Sequence, residues 1–143
     1  ETHILWQHNE YQKLMLSKGV QLQSWGAFVE GKNGFFQNDI LKNIGEKYGK
    51  SIPQVTLRWL IQRGIVCIPK SLHKERMQQN FDIFDFRLSD DDMNLIKSLD
   101  KGQTAFYSHY DPEAIERLNN IVYLASIKQI KLSIQIQKDN ETY

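Results

Sequence analysis

Along the first hundred residues, apolar positions recur at helical spacing in several places and in two short runs that read as strands. Tyr11, Leu14 and Met15 mark one face of a helix over residues 9–18, with Gly19 as its stop. Val20, Gln21, Leu22 and Gln23 then alternate apolar with polar, which predicts a short strand. It opens through Ser24-Trp25-Gly26 into a loop that runs past Gly31 and Gly34. Ile40, Leu41, Ile44 and Tyr48 line a second helix, with Asp39 in its first turn and Gly49 at its end. Ser51 and Gln54 form a capping-box pattern around Pro53, and Val55, Leu57, Trp59 and Leu60 supply the apolar side of a third helix closed by Arg63-Gly64. The continuous, β-branched run Ile65-Val66-Cys67-Ile68 predicts a strand buried on both faces and ended by Pro69. A short helix is expected over 74–80 and a packed connector over 81–86. Ser89 caps a last helix, whose positive end is favoured by Asp90, Asp91 and Asp92 and whose core side is Leu95, Ile96 and Leu99.

The resulting order of helix, strand, two helices, strand and helices is that of a parallel α/β fold built from βα units. Two parallel strands cannot stand alone with both faces buried, so the pattern implies a larger sheet. A strict alternation over 130–137 adds an edge strand near the end. Glu1 is not Met, and no lead-in or cap signal precedes Trp6, so further sequence upstream is expected.

Composition narrows the function classes. Of 143 residues, 41% are hydrophobic and 24% charged, as in a globular chain. Eighteen basic against seventeen acidic residues leave a net charge of +1, too little for a broad nucleic-acid or anionic-lipid footprint. No apolar stretch reaches the roughly 18 residues of a membrane helix. The lone Cys67 sits in an apolar run and reads as a small reduced hydrophobe, which with the absence of a leader suggests a cytoplasmic setting.

The chain just after the second strand carries the candidate chemistry. Lys70 and Ser71 stand where a parallel strand ends, the ligand side of such folds. Arg76 and Asn80 follow at i and i+4, on one helix face, so all four can converge on an anionic group such as a phosphate. On spacing alone, a solvated helix start with ordinary surface charges is the alternative. The stretch 40–63 also reads as two helices joined by a tight turn, resembling a helix-turn-helix, but Arg58 and Arg63 are the only cations on its second helix.

Gln23-Ser24-Trp25-Gly26, Glu46-Lys47-Tyr48-Gly49-Lys50, Leu57-Arg58-Trp59-Leu60-Ile61-Gln62-Arg63-Gly64, Ile68-Pro69-Lys70-Ser71 and Asn80-Phe81-Asp82-Ile83-Phe84-Asp85-Phe86 together resemble the C-terminal half of an aldo-keto reductase. The resemblance covers residues 1–118. It implies the C-terminal part of a (β/α)8 TIM barrel, incomplete in this chain, with NADPH as hydride donor and a small carbonyl compound as acceptor. Residue by residue, it implies Lys70, Ser71 and Arg76 around the nucleotide 2′-phosphate, Asn80 at the adenine, and Trp25 stacked on the nicotinamide.

Departures accompany it. Gln79 stands where many members carry Glu at the adenine amine, and Ile4 and Ala27 where relatives commonly have Pro. The Asp, Tyr, Lys and His that the family uses for catalysis come from the first half of the barrel, so no residue is assigned to catalysis, and none to metal binding. His3, His8, His73 and His109 read as surface or loop residues, Tyr48 as helix packing, and Tyr107 as part of a C-terminal loop. Residues 119–143 resemble no family ending. The expectation is therefore a fragment that carries the nucleotide site without the catalytic tetrad, inactive alone and prone to self-association through its open sheet edges. A non-catalytic remnant or interaction module is the alternative.

Overall fold

Helix stop signals in the sequence are realised as one repeated device in the computed structural model, which describes residues 1–106, 111–113 and 116–117. The elements run α1 (Asn9–Ser17), β1 (Gln23–Ser24), α2 (Asp39–Tyr48), α3 (Ile52–Gln62), β2 (Val66–Cys67), α4 (Lys74–Phe81) and α5 (Asp90–Lys97), with 3-10 turns at Val29–Gly31 and Phe35–Gln37. At the end of α3, Gly64 takes φ 74° while its N–H bonds to Ile61 O and the Ile65 N–H to Leu60 O, at 2.9 and 3.0 Å. That pair of bonds is the Schellman closure, and the left-handed φ it demands is open to glycine without a Cβ penalty. It turns the chain straight from α3 into β2.

β1 and β2 pair in parallel, Gln23 opposite Val66 and Ser24 opposite Cys67. α3 packs against β2, α2 against α3 and α5 against α2, around a core of Leu41, Ile44, Val55, Trp59, Leu60, Ile65, Leu88 and Ile96. The start of α3 is set as its sequence indicates: Gln54 Oε1 accepts from the Ser51 N–H at 3.0 Å and the Ser51 hydroxyl at 2.9 Å, with Pro53 in the first turn. Asn38 and Ser89 cap α2 and α5 by accepting the Leu41 and Asp92 N–H groups. The turn that holds Ile4 needs no proline, because His3 and Trp6 exchange both backbone hydrogen bonds at 3.1 Å and Ile4 is buried.

Several expectations are corrected. The first strand is Gln23–Ser24 rather than 20–23, because the parallel pairing with β2 begins at Gln23 opposite Val66, while Val20 and Gln21 stay exposed outside it. The second strand is not buried on both faces: Val66 is 43% and Ile68 67% exposed, since β1 is its only strand neighbour among the described residues. In the connector after α4, Ile83 and Phe86 pack inward, whereas Phe81 and Phe84 stand out in solvent against each other, ring centres 5.7 Å apart. Leu95 is exposed because the core side of α5 is set by Asp92 and Ile96. α1 forms as expected but buries none of its residues. His3 is fully buried rather than on the surface. Its Nδ1 accepts the Leu5 N–H at 3.2 Å and its Nε2 meets Glu1 Oε1 at 2.8 Å.

Residues 1–105 form one compact unit, and residues 106–143 fall in a second. The expected strand at 130–137, with Tyr107 and His109, lies outside the described residues. Among those described, no helix is long and apolar enough to cross a membrane.

Candidate functional site

β2 ends at Cys67, and Pro69 prevents its continuation, so the chain leaves the sheet with Lys70 and Ser71 at its C-terminal end. The Ser71 hydroxyl then accepts the His73 N–H at 3.1 Å and lies 3.3 Å from His73 O, a local turn that starts α4. Arg76 in the first turn of α4 and Asn80 one turn later face the same side.

These residues line one cleft of about 560 Å³. Lys70, Ser71, His73, Arg76, Gln79 and Asn80 are its polar lining, and Phe28, Phe36 and Leu72 its apolar one. Ser51 and Pro53 border it as well, so the N-terminal turn of α3 adds the positive end of a helix. Neither Lys70 nor Arg76 is in an ion pair among the described residues, and no carboxylate lines the cleft. Two uncompensated cations, a hydroxyl and an amide against an aromatic wall form a donor set suited to a phosphorylated, ring-bearing ligand.

Four of the five residues singled out from the sequence therefore meet in one place, and Trp25 stands apart from them. It follows β1 directly, where its carbonyl accepts the Thr2 N–H at 3.2 Å, and its indole is largely exposed and outside the cleft. The aromatic wall escapes a sequence reading because Phe28 and Phe36 lie in an aperiodic loop. Ser51 and Pro53 carry a signal, but one that reads only as a helix start. Cys67 behaves as a small reduced hydrophobe: burial pushes its thiol up to about 11, so it is not a thiolate at neutral pH. Among the described residues no group of His, Cys, Asp and Glu could hold a metal ion.

Comparison with known proteins supplies the family. The family model described as "Aldo/keto reductase family" matches residues 7–101. Methylglyoxal reductase DkgA of Escherichia coli K12 is 35% identical over 103 residues, which cover 72% of this chain and 38% of that protein. An aldo-keto reductase from a Medee basin deep-sea metagenome superposes with a TM-score of 0.70 at 35% identity, over 78% of this chain and 41% of the other. The aldo-keto reductase AKR2E5, solved in complex with NADPH, superposes with a TM-score of 0.69 at 29% identity, over 75% of this chain and 36% of that one. The chain thus spans less than half the length of these relatives. A family match across most of its described residues, joined to a shared backbone at 35% identity, places this chain in the aldo/keto reductase family.

Proposed function

We propose that residues 1–105 form the nucleotide-binding part of an NADPH-dependent aldo-keto reductase of (β/α)8 architecture, in which Lys70, Ser71 and Arg76 hold the 2′-phosphate and Asn80 the adenine. The observation that supports this most is the convergence of Lys70 and Arg76, both without an ion-pair partner among the described residues, on the cleft that Ser71 and Asn80 also line. The fit is chemical: a 2′-phosphate supplies the charge the cleft lacks, and Phe28 and Phe36 offer an apolar wall for an adenosine. When bound, NADPH supplies the hydride for carbonyl reduction. Trp25, beyond β1, is then the residue for the nicotinamide end. Hydride transfer also needs an acid and a carbonyl in near-attack geometry. The residues that would supply them are not assigned in this chain, so it binds cofactor without turning over substrate.

The test is titration of the 143-residue chain with NADPH and with NADH, followed by nucleotide fluorescence. Binding of NADPH at least about tenfold tighter than NADH is expected, with Lys70→Met and Arg76→Met each removing most of that preference. Equal affinity for the two nucleotides in the unmodified chain would overturn the assignment. Steady reduction of methylglyoxal by the purified chain would overturn the claim that it is inactive.

A further inference from the structure

The helix that carries Arg76 and Asn80 is lightly held by its own side chains. α4 lies beside α3, where Met77, Asn80 and Phe81 share a cavity with Leu57 and Ile61, but it buries none of its residues, and Met77 and Phe81, its two apolar side chains, are both exposed. On its N-terminal side, the side-chain bonds among the described residues are the local ones between Ser71 and His73. A surface helix of eight residues that buries none of them is marginal in water. Its position must be fixed from elsewhere.

Besides its approach to α3, what holds it is the chain just past its end. Lys50, whose side chain is only 8% exposed, reaches Asp82 Oδ2 at 2.9 Å, Asp82 O at 3.3 Å and Asp85 Oδ2 at 2.8 Å. Gln54 Nε2 donates to the same Asp82 carbonyl at 2.9 Å, and Arg58 Nη1 to Ile83 O at 3.1 Å. Lys50 is itself held at its backbone and its ammonium. Its N–H bonds to Gly45 O at 2.9 Å in the closure of α2, and its ammonium lies 5.4 Å from the centre of the Phe86 ring. Lys50 is moreover the residue before Ser51, which borders the cleft. One short segment, 50–54, thus borders the cleft and also grips the end of the helix that carries Arg76 and Asn80 to it.

We propose that Lys50, seconded by Gln54, is a positioning residue for the nucleotide cleft: it fixes α4 through Asp82 and Asp85, and so sets where Arg76 meets the 2′-phosphate. This rests on the nucleotide reading given above. A bond network that merely added stability would affect both nucleotides alike. A positioning role falls on the phosphate that distinguishes them, because Arg76 is a planar fork whose bonds need defined geometry.

The test compares Lys50→Met and the conservative Lys50→Arg in the 143-residue chain, reading amide hydrogen exchange and the ratio of NADH to NADPH dissociation constants. In Lys50→Met, exchange in 74–81 is expected to rise at least about tenfold while 55–60 stays protected. The nucleotide ratio should fall at least about fivefold, and Lys50→Arg should recover much of both. Gln54→Leu, which keeps Lys50, should give the same pattern more weakly. Unchanged protection of α4 in Lys50→Met overturns the proposal whatever the nucleotides do, as does an equal loss of NADPH and NADH affinity. If the unmodified chain binds neither nucleotide yet α4 loosens in Lys50→Met, the fixing of α4 is supported and the nucleotide reading is the one that fails.

Discussion

The Tyr48 hydroxyl donates to Asp92 Oδ2 at 2.6 Å and accepts the Ser89 N–H at 3.1 Å, so one phenol ties the end of α2 to the cap of α5. Lys47 bonds the other oxygen of Asp92 at 2.6 Å, and the Ser89 hydroxyl adds a further bond at 2.8 Å. Burial pushes the Asp92 carboxyl up, but the bonds from Lys47, Tyr48 and Ser89 outweigh it and hold it down to about 2.

Asp92→Asn therefore removes the charge on which Lys47, Tyr48 and Ser89 converge. Lys47 is half exposed, so solvent screens its share, and the expected loss is about 1–3 kcal/mol at neutral pH. The sign with pH follows from the depressed value. The stabilisation is fully present above the usual carboxylate value of about 3.9 and fades as pH falls towards about 2. Urea unfolding of both proteins at about pH 7 and about pH 2.5 checks this, since the difference between them should shrink at the lower pH. A difference that stays constant would mean the charge is not what matters.

Gly45→Ala should destabilise, although alanine is ordinarily the better helix residue by about 1 kcal/mol. A Cβ at position 45 would sit 2.3 Å from the Lys50 carbonyl oxygen, a backbone atom that cannot swing aside, with a Val55 methyl at 3.6 Å. Relief requires shifting the α2–α3 turn, at a cost of about 1–3 kcal/mol. Thermal melting reads the result directly, and a melting point at or above that of the parent chain would contradict it. Because the clash falls on Lys50, exchange in α4 should rise as well.

Which features are legible in the sequence follows from how local their causes are. Ser51 with Gln54, Ser89 with Asp92 and the glycines after α1, α2 and α3 act within one helix turn, and each produces the boundary it announces. Lys70, Ser71, Arg76 and Asn80 can be grouped in advance because a strand end and one helix turn suffice to bring them together. Val66 and Ile68 mislead because a β-branched run states what a strand would bury, not which neighbours are there to bury it. His3 misleads for the opposite reason: its burial depends on a turn closed by Trp6 and on Glu1, which also accepts the Ala105 N–H from the far end of the unit. Lys50 gives no signal at all, since its partners lie 32 and 35 residues away.

His3 should make the fold acid-sensitive near neutrality. With Nδ1 accepting from the Leu5 N–H, the neutral ring carries its proton on Nε2 and donates it to Glu1. Protonation would set a second N–H against that of Leu5. Burial lowers the His3 value, against the opposing pull of Glu1. The unfolded chain thus binds the proton first, so stability is full above about pH 6.5 and is lost as pH falls below it. Histidine proton NMR should show His3 titrating below that value. His8, half buried and lowered mainly by burial, contributes in the same window, so His8→Gln isolates the part due to His3. Melting points that do not change between about pH 7 and about pH 5 in that variant would contradict the argument.

Gln79→Glu restores a carboxylate at the cleft position where many aldo-keto reductases carry one, and its effect tests how the cleft divides its work. Gln79 lines the cleft on α4 beside Asn80 and is otherwise exposed, so the change costs the fold little. A carboxylate accepts from an adenine amine more strongly than an amide oxygen does, by about 1 kcal/mol, or roughly fivefold in affinity. NADPH and NADH both carry adenine, so both should tighten about equally and their ratio should hold. Lys70→Met and Arg76→Met should do the reverse, changing the ratio. The introduced carboxylate would also stand three residues after Arg76, within reach of a helical ion pair. If NADPH weakens while NADH does not, that carboxylate has taken Arg76 from the phosphate, and adenine does not lie against position 79.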